Sequence, residues 1–415
     1  MKRQSFILSV VVMVVVGLWF GSGAAARQQT PAGSRWITAW GTSQNGVGNT
    51  PIGNATVRMV ARVSIGGDAV RIRLDNTYGK TPIAIGKAYV GHVVRGSALE
   101  EGSNRQISFN RSPNVTIPAG GSAVSDPLPI SVRAFQDLAV SLYVPEADVR
   151  PSQHGNSYVT SYVAANGSGD TASDETGKPF ATTTGSMLWL KAIDVLSATS
   201  TGAIVAFGDS ITDGVCSVRD AHNRWEDWVS VRLALRDGNR AKAIVNEGIG
   251  GNTITREGLQ PAPDSAPALE RLERDVLSHH GVTHVIFFTG TNDLRREAPP
   301  SQVISGMQEI IKRVKARGLS IIGVTIIPRH FRAPEPDNTG WNDAKTKGRQ
   351  QVNQWIRTAK PYDGLIDFDR LLQDPKTPDL IYSPFNCGDG VHPSPLGYWE
   401  MGRAVSLDLF GNSGS

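Results

Sequence analysis

The fold is decided by residues 204–214, which read IVAFGDSITDG. A short apolar run that ends in a glycine turn is typical of a buried strand that leads into a helix. The turn would place Ser210 at the edge of a sheet, beside a helix N-terminus whose free N–H groups stabilise negative charge. The stretch predicts an α/β fold with a serine placed for chemistry. A helix-capping serine is the plainer alternative, and a phosphate or flavin loop lacks the Lys or Gly-x-Gly spacing it needs.

After this stretch, short apolar runs alternate with helix-like segments as far as the C-terminus. The further strand-like runs are Ala243–Val245, His284–Thr289, Leu319–Ile327 and Leu365–Ile366. The helix-like segments are Trp225–Arg236, Ala266–Leu277, Ser301–Arg317, Trp341–Ala359 and Pro395–Leu409. This alternation predicts a flavodoxin-like parallel sheet with helices on both faces. Such sheets bind ligands at the carboxyl ends of their strands, so chemistry is expected in the loops that follow the strands.

The chain before these segments has a different period. Between Thr56 and Ile65 apolar and polar residues alternate, and the alternation resumes at Val70 after the turn residues Gly66-Gly67-Asp68. This predicts a β-hairpin with one face in water, to which Arg58 would belong. Similar strands are predicted at Ala84–Val93, Gln106–Phe109, Asn114–Ile117, Leu138–Val144 and Leu188–Val195. Many short strands separated by turn residues predict a β-sandwich, of jelly-roll type.

The N-terminus has the pattern of a secretory signal peptide. Lys2-Arg3 precede the apolar stretch Phe6–Phe20, and Ala24-Ala25-Ala26 supply a cleavage site. We therefore expect removal of residues 1–26 and a secreted or extracytoplasmic protein, either periplasmic or extracellular. The apolar stretch is shorter than the roughly 20 residues that span a bilayer, so no stable membrane insertion is expected after cleavage. An uncleaved membrane anchor is the alternative.

The predicted organisation is a signal peptide at residues 1–26, a β-sandwich domain at 36–196, a linker at 197–202 and an α/β domain at 203–411. The 415 residues are 40% hydrophobic and 19% charged, which suffices for full cores and excludes a disordered or fibrous chain. The net charge is +4 and the sequence has no run of basic residues of the kind that binds nucleic acid. No nucleic-acid partner is therefore expected.

Three more loops at the predicted carboxyl edge carry small or polar residues. The second strand ends in residues 246–253, NEGIGGNT, where small residues let a backbone N–H approach a substrate. The third ends in Gly290-Thr291-Asn292-Asp293, which brings an amide to the same edge. Asp389 and His392 precede the last helix, so the carboxylate can hold one ring nitrogen. Taken singly, these are also the patterns of a tight turn, a turn asparagine and an N-cap aspartate with a surface histidine.

The four loops together, in this order, resemble the GDSL, or SGNH, family of serine hydrolases. The resemblance covers about half of the chain, from Gly202 to Leu409. It implies a nucleophile, a base with its orienting acid, and three oxyanion-hole donors. Ser210 would be the nucleophile, and His392 would be the base that Asp389 orients. The N–H groups of Ser210, Gly251 and Asn292 would be the three donors. The loop is not a Gly-x-Ser-x-Gly elbow, because Thr212 stands in place of the second glycine.

A jelly-roll-like domain in front of such a hydrolase is also similar to a group of secreted bacterial esterases that act on plant or cell-wall polysaccharides. The phrases that carry this second resemblance are Val63–Gly67 and Leu138–Tyr143. It implies that the substrate is an ester, carried by an acylated carbohydrate. The β domain itself could bind polysaccharide, shape the rim of the site or act only as a structural companion.

The chemistry is consistent without the family name. A serine needs a base, and His392 is the candidate that has a carboxylate nearby in sequence. Two backbone N–H groups and one amide suit the oxyanion that ester hydrolysis produces. A backbone carbonyl could orient His392 instead of Asp389. We expect neither a cofactor nor a metal ion, since no Cys/His spacing in the chain resembles a zinc site.

Three functions fit these residues. The first is a secreted serine esterase that removes short acyl groups, such as acetyl, from carbohydrate. The second is a lipase, arylesterase or lysophospholipase that uses the same triad. The third is a surface binding protein with a silent hydrolase domain. The presence of all the triad and oxyanion residues argues against the third.

The two cysteines of the chain flank the predicted site. Cys216 follows Ser210 closely and Cys387 lies two residues before Asp389. If the loops converge as the fold demands, a disulfide would join the nucleophile loop to the acid–base loop, and two free thiols are the alternative. The loop after the fourth strand adds Arg329, His330, Phe331 and Trp341, which could contact substrate or be only solvated.

Overall fold

The computed structural model describes residues 33–329 and 341–411. The predicted signal peptide lies outside these residues, as do His330 and Phe331. The chain from Gly33 onward forms one compact unit, which contains both an all-β region and an α/β region. Within the two described ranges, every helix is too short or too polar to cross a bilayer.

The all-β region contains sixteen strands, most of them short. They are β1 (Arg35–Gly41), β2 (Gly46–Val47), β3 (Ala55–Arg62), β4 (Ala69–Asp75), β5 (Ile83–Ile85), β6 (Lys87–Arg95), β7 (Ala98–Leu99), β8 (Arg105–Ile107), β9 (Val115–Ile117), β10 (Ser122–Val124), β11 (Asp137–Val144), β12 (Ser152–His154), β13 (Ser161–Val163), β14 (Thr182–Thr184), β15 (Met187–Leu188) and β16 (Leu190–Ser197). All of their pairings are antiparallel.

Two larger sheets enclose the core of the β region. One has the order β1-β16-β4-β10, and the other has the order β14-β13-β3-β11-β6-β7, with β8 also paired to β6. Alternating apolar residues of both sheets are fully buried, among them Val57 on β3 and Ile72 on β4. The region is therefore built from antiparallel sheets that bury their facing sides, as expected for a sandwich.

The predicted hairpin between β3 and β4 is wrong. β3 pairs with β11 and β13, whereas β4 pairs with β16 and β10, so the two strands lie in different sheets. Gly67, in the connection, packs so tightly on the carbonyl of Leu196 that a side chain would collide with it. Alternation identifies a strand but does not identify its partner, which is why the sequence pattern missed the crossover.

The expected wet face of β3 is also wrong. Arg58 is fully buried, and it donates to the carbonyl of Ser97 at 2.6 Å and to the hydroxyl of Ser141 at 2.9 Å. Its guanidinium lies 4.0 Å from the ring centroid of Phe180, which belongs to a later loop that covers this face. Burial lowers the pKa of Arg58 to about 10. Long-range hydrogen bonds thus allow a charged residue to occupy a position that the pattern assigns to solvent.

The α/β region follows after residue 202. Its elements are β17 (Ala203–Gly208), α1 (Ser210–Asp213), α2 (Trp225–Asp237), β18 (Ala243–Gly248), α3 (Ala268–Leu272), β19 (Val282–Phe288), α4 (Thr291–Arg295), α5 (Pro300–Lys315), β20 (Ser320–Val324), α6 (Asp343–Thr358), β21 (Gly364–Ile366), α7 (Phe368–Leu372) and α8 (Pro395–Ala404). A π-helical turn at Glu273–Leu277 continues α3, and 3-10 turns occur at Gly238–Arg240, Ser383–Phe385 and Leu407–Phe410.

Among the described residues of this region, five strands form a parallel sheet in the order β18-β17-β19-β20-β21. On β17, Ile204 and Ala206 pack with residues of α2 and α8 on one face. Val205 and Phe207 pack with residues of α3, α5 and α6 on the other face. The predicted parallel sheet with helices on both faces is confirmed. Its carboxyl ends carry α1, the loop after β18 and α4 at one edge.

The β region packs directly against this sheet through buried polar contacts. The hydroxyl of Ser64 donates to the carbonyl of Ile244 on β18, and the amide of Thr38 donates to the carbonyl of His280. Four buried charged residues, which we name the interface cluster, lie at the same junction. They are Lys191, Glu247, Arg271 and Asp275.

Candidate active site

The nucleophile loop starts where β17 ends. Gly208 has no room for a side chain, because a Cβ there would collide with Thr212. Asp209 is the N-cap of α1, and its carboxylate accepts from the N–H of Ile211 at 3.1 Å. Ser210 is therefore the first residue of a helix, where backbone N–H groups have no partner within the helix. The side chain of Ser210 lies in a largely buried position, with 7% of the residue exposed.

The structure brings His392 to this serine across 182 residues of sequence. Its Nε2 lies 2.8 Å from the hydroxyl oxygen of Ser210, and its Nδ1 lies 2.5 Å from a carboxylate oxygen of Asp389. Because a carboxylate only accepts hydrogen bonds, Nδ1 carries the proton and Nε2 is free to accept from the serine. We name these three residues the triad.

Asp389 is held by its own loop as well as by the imidazole. One oxygen accepts from the backbone N–H groups of Val391 and His392, both at 2.8 Å. Burial opposes ionisation, but these contacts and His392 outweigh it and lower the pKa of Asp389 to about 2. The carboxylate is therefore charged throughout the neutral range and fixes the tautomer of the imidazole.

Gly251 and Asn292, the other two residues predicted as oxyanion donors, lie in neighbouring loops. Gly251 follows β18 and has φ +72°, a left-handed conformation that suits glycine. Asn292 lies in the first turn of α4, and its side-chain amide donates to the carbonyl of Asn252 at 3.1 Å. This bond joins the two donor loops at the carboxyl edge of the sheet.

Asp293 holds the loop after β18 through its side chain. Its carboxylate accepts from the backbone N–H of Ile254 at 2.9 Å and from that of Thr255 at 3.2 Å. The residue is fully buried, and burial raises its pKa to about 7. Burial likewise raises the pKa of Asp209 to about 6. Both carboxyl groups hold backbone N–H groups of the loops, which is a role in positioning.

Arg271 is a site residue that the sequence did not reveal. Its guanidinium donates to the carbonyls of Gly208 and Glu247, each at 2.8 Å, and to the side chain of Asn252 at 3.0 Å. The ends of β17 and β18 and the donor loop are thereby tied to one rigid group. A buried arginine inside an apparently amphipathic helix carries no local signal, because its partners come from distant segments.

Arg329 and Trp341 are buried, which contradicts the alternative that these residues are only solvated. Arg329 is 5% exposed and Trp341 6%, and the guanidinium lies 4.9 Å from the indole ring centroid. Arg329 also donates to the hydroxyl of Thr291, the neighbour of Asn292, at 3.1 Å. Burial lowers the pKa of Arg329 to about 10. This pair supports the α4 loop from the side of the fourth strand.

Cys216 and Cys387 form a disulfide with a Cα–Cα distance of 6.3 Å. It links the segment after α1 to the loop of Asp389, and the N–H of Cys387 donates to the carbonyl of His392 at 3.1 Å. Of the residues that the structure describes, the one group of three metal-binding side chains within reach of each other is Cys216, Cys387 and Asp389, and the disulfide occupies both sulfur atoms.

A serine, an imidazole and a carboxylate in hydrogen-bonded series, beside backbone and amide donors, is the arrangement of a serine hydrolase. Residues 206–400 match the model of the GDSL-like lipase/acylhydrolase family. The α/β region of the chain is therefore similar to the GDSL-like lipase/acylhydrolase family over these residues, and it is joined to an N-terminal β region.

Several solved structures are similar to about half of the chain. A carbohydrate acetylesterase from Sinorhizobium meliloti is 21% identical, with 49% of this chain and 95% of that one covered and a TM-score of 0.37. A GDSL-like lipase from Bacteroides thetaiotaomicron is 19% identical over 50% and 87% of the two chains, with a TM-score of 0.36. A member of the lipolytic G-D-S-L family from Veillonella parvula is 18% identical over 51% and 99%, with a TM-score of 0.37. A search of curated proteins found no match.

Proposed function

We propose that the protein is an exported serine esterase that hydrolyses carboxylic esters through an acyl-enzyme on Ser210, and that its substrates are short acyl groups, such as acetyl, on carbohydrate. The observation that carries the proposal is the hydrogen-bonded series from the Ser210 hydroxyl through His392 to Asp389. The family match supports the reaction class. The N-terminal signal pattern and the β region support export and a carbohydrate substrate.

The first half of the reaction forms the acyl-enzyme. Nε2 of His392 takes the hydroxyl proton as the oxygen of Ser210 attacks the ester carbonyl, and Asp389 stabilises the imidazolium. The negative charge that develops on the carbonyl oxygen is met by the N–H groups of Ser210 and Gly251 and by the amide of Asn292. Collapse of the tetrahedral intermediate breaks the bond to the alcohol, which leaves with the proton from His392.

The second half repeats these steps with water as the nucleophile. His392 removes a proton from water as the water oxygen adds to the acyl carbonyl. The bond to Ser210 then breaks, His392 returns the proton to the serine oxygen, and the carboxylic acid is released. Water is the second substrate, and no electron transfer is required. Loss of one oxyanion donor typically costs about 3–4 kcal/mol, so Asn292→Ala should lower kcat by about 10²–10³ while the protein still folds.

The test is a substrate screen with matched serine variants. Purified protein is assayed on p-nitrophenyl esters of increasing chain length and for acetate release from acetylated polysaccharides. We expect hydrolysis with a preference for acetyl, and a loss of about 10⁴-fold or more in Ser210→Ala. Ser301→Ala, which alters an exposed serine at the start of α5, is the control that keeps full activity.

Other outcomes separate the alternatives. A preference for long acyl chains would support a lipase or lysophospholipase on the same triad, and would overturn the short-acyl part of the proposal. A preference for aryl acetates over acetylated polysaccharide would favour an arylesterase. Absence of hydrolysis with every ester, together with binding to polysaccharide, would favour a surface binding protein.

A further inference from the structure

A histidine of the β region reaches the nucleophile loop. His154, the last residue of β12, is 2% exposed. Its Nε2 lies 3.0 Å from one carboxylate oxygen of Asp213, which is the last residue of α1. Its Nδ1 lies 2.7 Å from the carbonyl oxygen of Ser43, and Nε2 also lies 3.1 Å from the carbonyl oxygen of Asn156.

All three of these partners are hydrogen-bond acceptors. A neutral imidazole has one N–H and one bare nitrogen, which would face an oxygen lone pair in either tautomer. Both ring nitrogens of His154 must therefore carry hydrogen, and the side chain is an imidazolium. Burial disfavours the charge, but Asp213 outweighs burial and raises the pKa of His154. Arg224 is a second positive group close enough to interact with Asp213.

Asp213 also contacts the loop after β18, which contains Gly251. Its second carboxylate oxygen accepts from the backbone N–H of Gly250 at 2.9 Å. Gly250 directly precedes Gly251, whose N–H is a proposed oxyanion donor. The backbone of Asp213 also packs against Gly248, where a side chain would collide with it. The direction of the Gly251 N–H thus depends on a carboxylate that is clamped between Gly250 and His154.

We propose that His154 is a positioning residue for the esterase reaction, and that its imidazolium holds the Asp213 carboxylate so that the peptide of Gly250 and Gly251 presents its N–H to the oxyanion. The inference rests on the proposed function. It makes the β region a contributor to catalysis, since a residue of that region helps to set the geometry of the oxyanion hole. His154 itself does not touch the reacting atoms.

The size of the effect follows from the geometry. A charge-assisted hydrogen bond is roughly twice as strong as a neutral one, so a neutral side chain at residue 154 loosens Asp213 without removing it. A misplacement of a catalytic group by about 1 Å can cost about 10²-fold in rate, and a partly loosened donor should cost less. We expect His154→Gln to lower kcat about ten-fold and to change KM less than about two-fold.

The experiment measures kcat and KM on p-nitrophenyl acetate for the full chain. The variants are His154→Gln, Asp213→Asn and the double variant, each checked for folding by thermal unfolding. His92→Gln is the matched control, because His92 belongs to the same region and pairs with Glu100 at 3.1 Å, away from the nucleophile loop. The control should keep wild-type kcat.

The inference predicts that the two single variants each lose about ten-fold in kcat and that the double variant loses no more than either, because both act through one clamp. A kcat of His154→Gln within two-fold of wild type, or effects that multiply in the double variant, would overturn it. If His154→Gln does not fold, Asp213→Asn decides alone, and an unchanged kcat overturns the inference. Wild-type activity that Ser210→Ala abolishes keeps the proposed function intact in each of these cases.

Discussion

The interface cluster and the triad each hold a carboxylate through hydrogen-bonded partners, and they differ in what that carboxylate can do. In the interface cluster, Lys191 lies 3.2 Å from Glu247 and 2.6 Å from Asp275, and every side chain is at most 6% exposed. In the triad, the side chains of His392 and Asp389 are 17% and 32% exposed. The cluster is closed to solvent, whereas the triad is partly exposed at His392 and Asp389.

The partners of each carboxylate explain the difference. Asp275 contacts Lys191, Arg271 and Arg274, and these cations outweigh burial and hold its pKa well below the ordinary value. Asp389 is hydrogen-bonded to His392, whose other nitrogen faces a neutral hydroxyl. A carboxylate fixed among permanent cations can only stabilise the fold. One that is paired with an imidazole supports proton transfer.

Removal of the imidazole should abolish the function of the triad and spare the fold. His392→Ala should lower kcat by about 10⁴-fold or more, because the serine loses its base. Asp389 keeps two backbone N–H donors, so the midpoint of urea unfolding should stay close to that of the wild type. Kinetics on p-nitrophenyl acetate and a urea titration measure both. Substantial residual activity would mean that another group serves as the base.

The disulfide, which links the segment after α1 to the loop of Asp389, should stabilise the folded protein. The double variant Cys216→Ser with Cys387→Ser should unfold with a free energy about 4–5 kcal/mol lower, because the bond closes a loop of 171 residues in the unfolded chain. Urea unfolding measures the difference. Mass spectrometry with and without reductant is the control, and free thiols at both positions in the native protein would contradict the pairing.

Removal of one charge from the interface cluster should lower the free energy of unfolding. Lys191→Met should cost about 3–5 kcal/mol, because Glu247 and Asp275 stay buried with fewer cations. The matched control is Arg256→Met, which breaks a 2.9 Å pair with Glu270 whose side chains are about half exposed and should cost less than about 1 kcal/mol. Equal costs for the two variants would show that burial of the cluster does not matter.

The stability contributions of Asp389 and Asp275 should differ in their dependence on pH. The contribution of Asp389 to stability is present above its ordinary pKa of about 4 and is lost as the pH falls to about 2, because the folded state holds its pKa at about 2. The stability difference between wild type and Asp389→Asn should therefore shrink over that interval. For Asp275→Asn the difference should persist to lower pH. A constant difference for Asp389→Asn from pH 6 to 2 would contradict the assignment.

The sequence predicted the parts of the fold and site that have local signals. The turn at Gly208 and Ser210 and the spacing of Asp389 and His392 are readable in one short stretch each, and the alternation of strands and helices predicts that their loops meet at one edge. The bounds of β17, β19 and α5 lie within a residue or two of the predictions.

Residues whose partners are far along the chain were missed. The strands β3 and β4 join different sheets, and Arg58 is buried by a loop more than a hundred residues later. Arg271 and His154 have no motif, because their roles depend on carbonyls and carboxylates from other elements. Local pattern specifies the element, and only tertiary packing specifies what a polar residue within it touches.

The most direct test of the account is the position of a covalent adduct. The purified protein is treated with a fluorophosphonate, digested and analysed by mass spectrometry, with Ser210→Ala and His392→Ala treated in parallel. We expect a single adduct on the peptide that contains Ser210 in the wild type, strongly reduced labelling in His392→Ala and none in Ser210→Ala. No adduct in active wild-type protein, or an adduct on another serine, would contradict it.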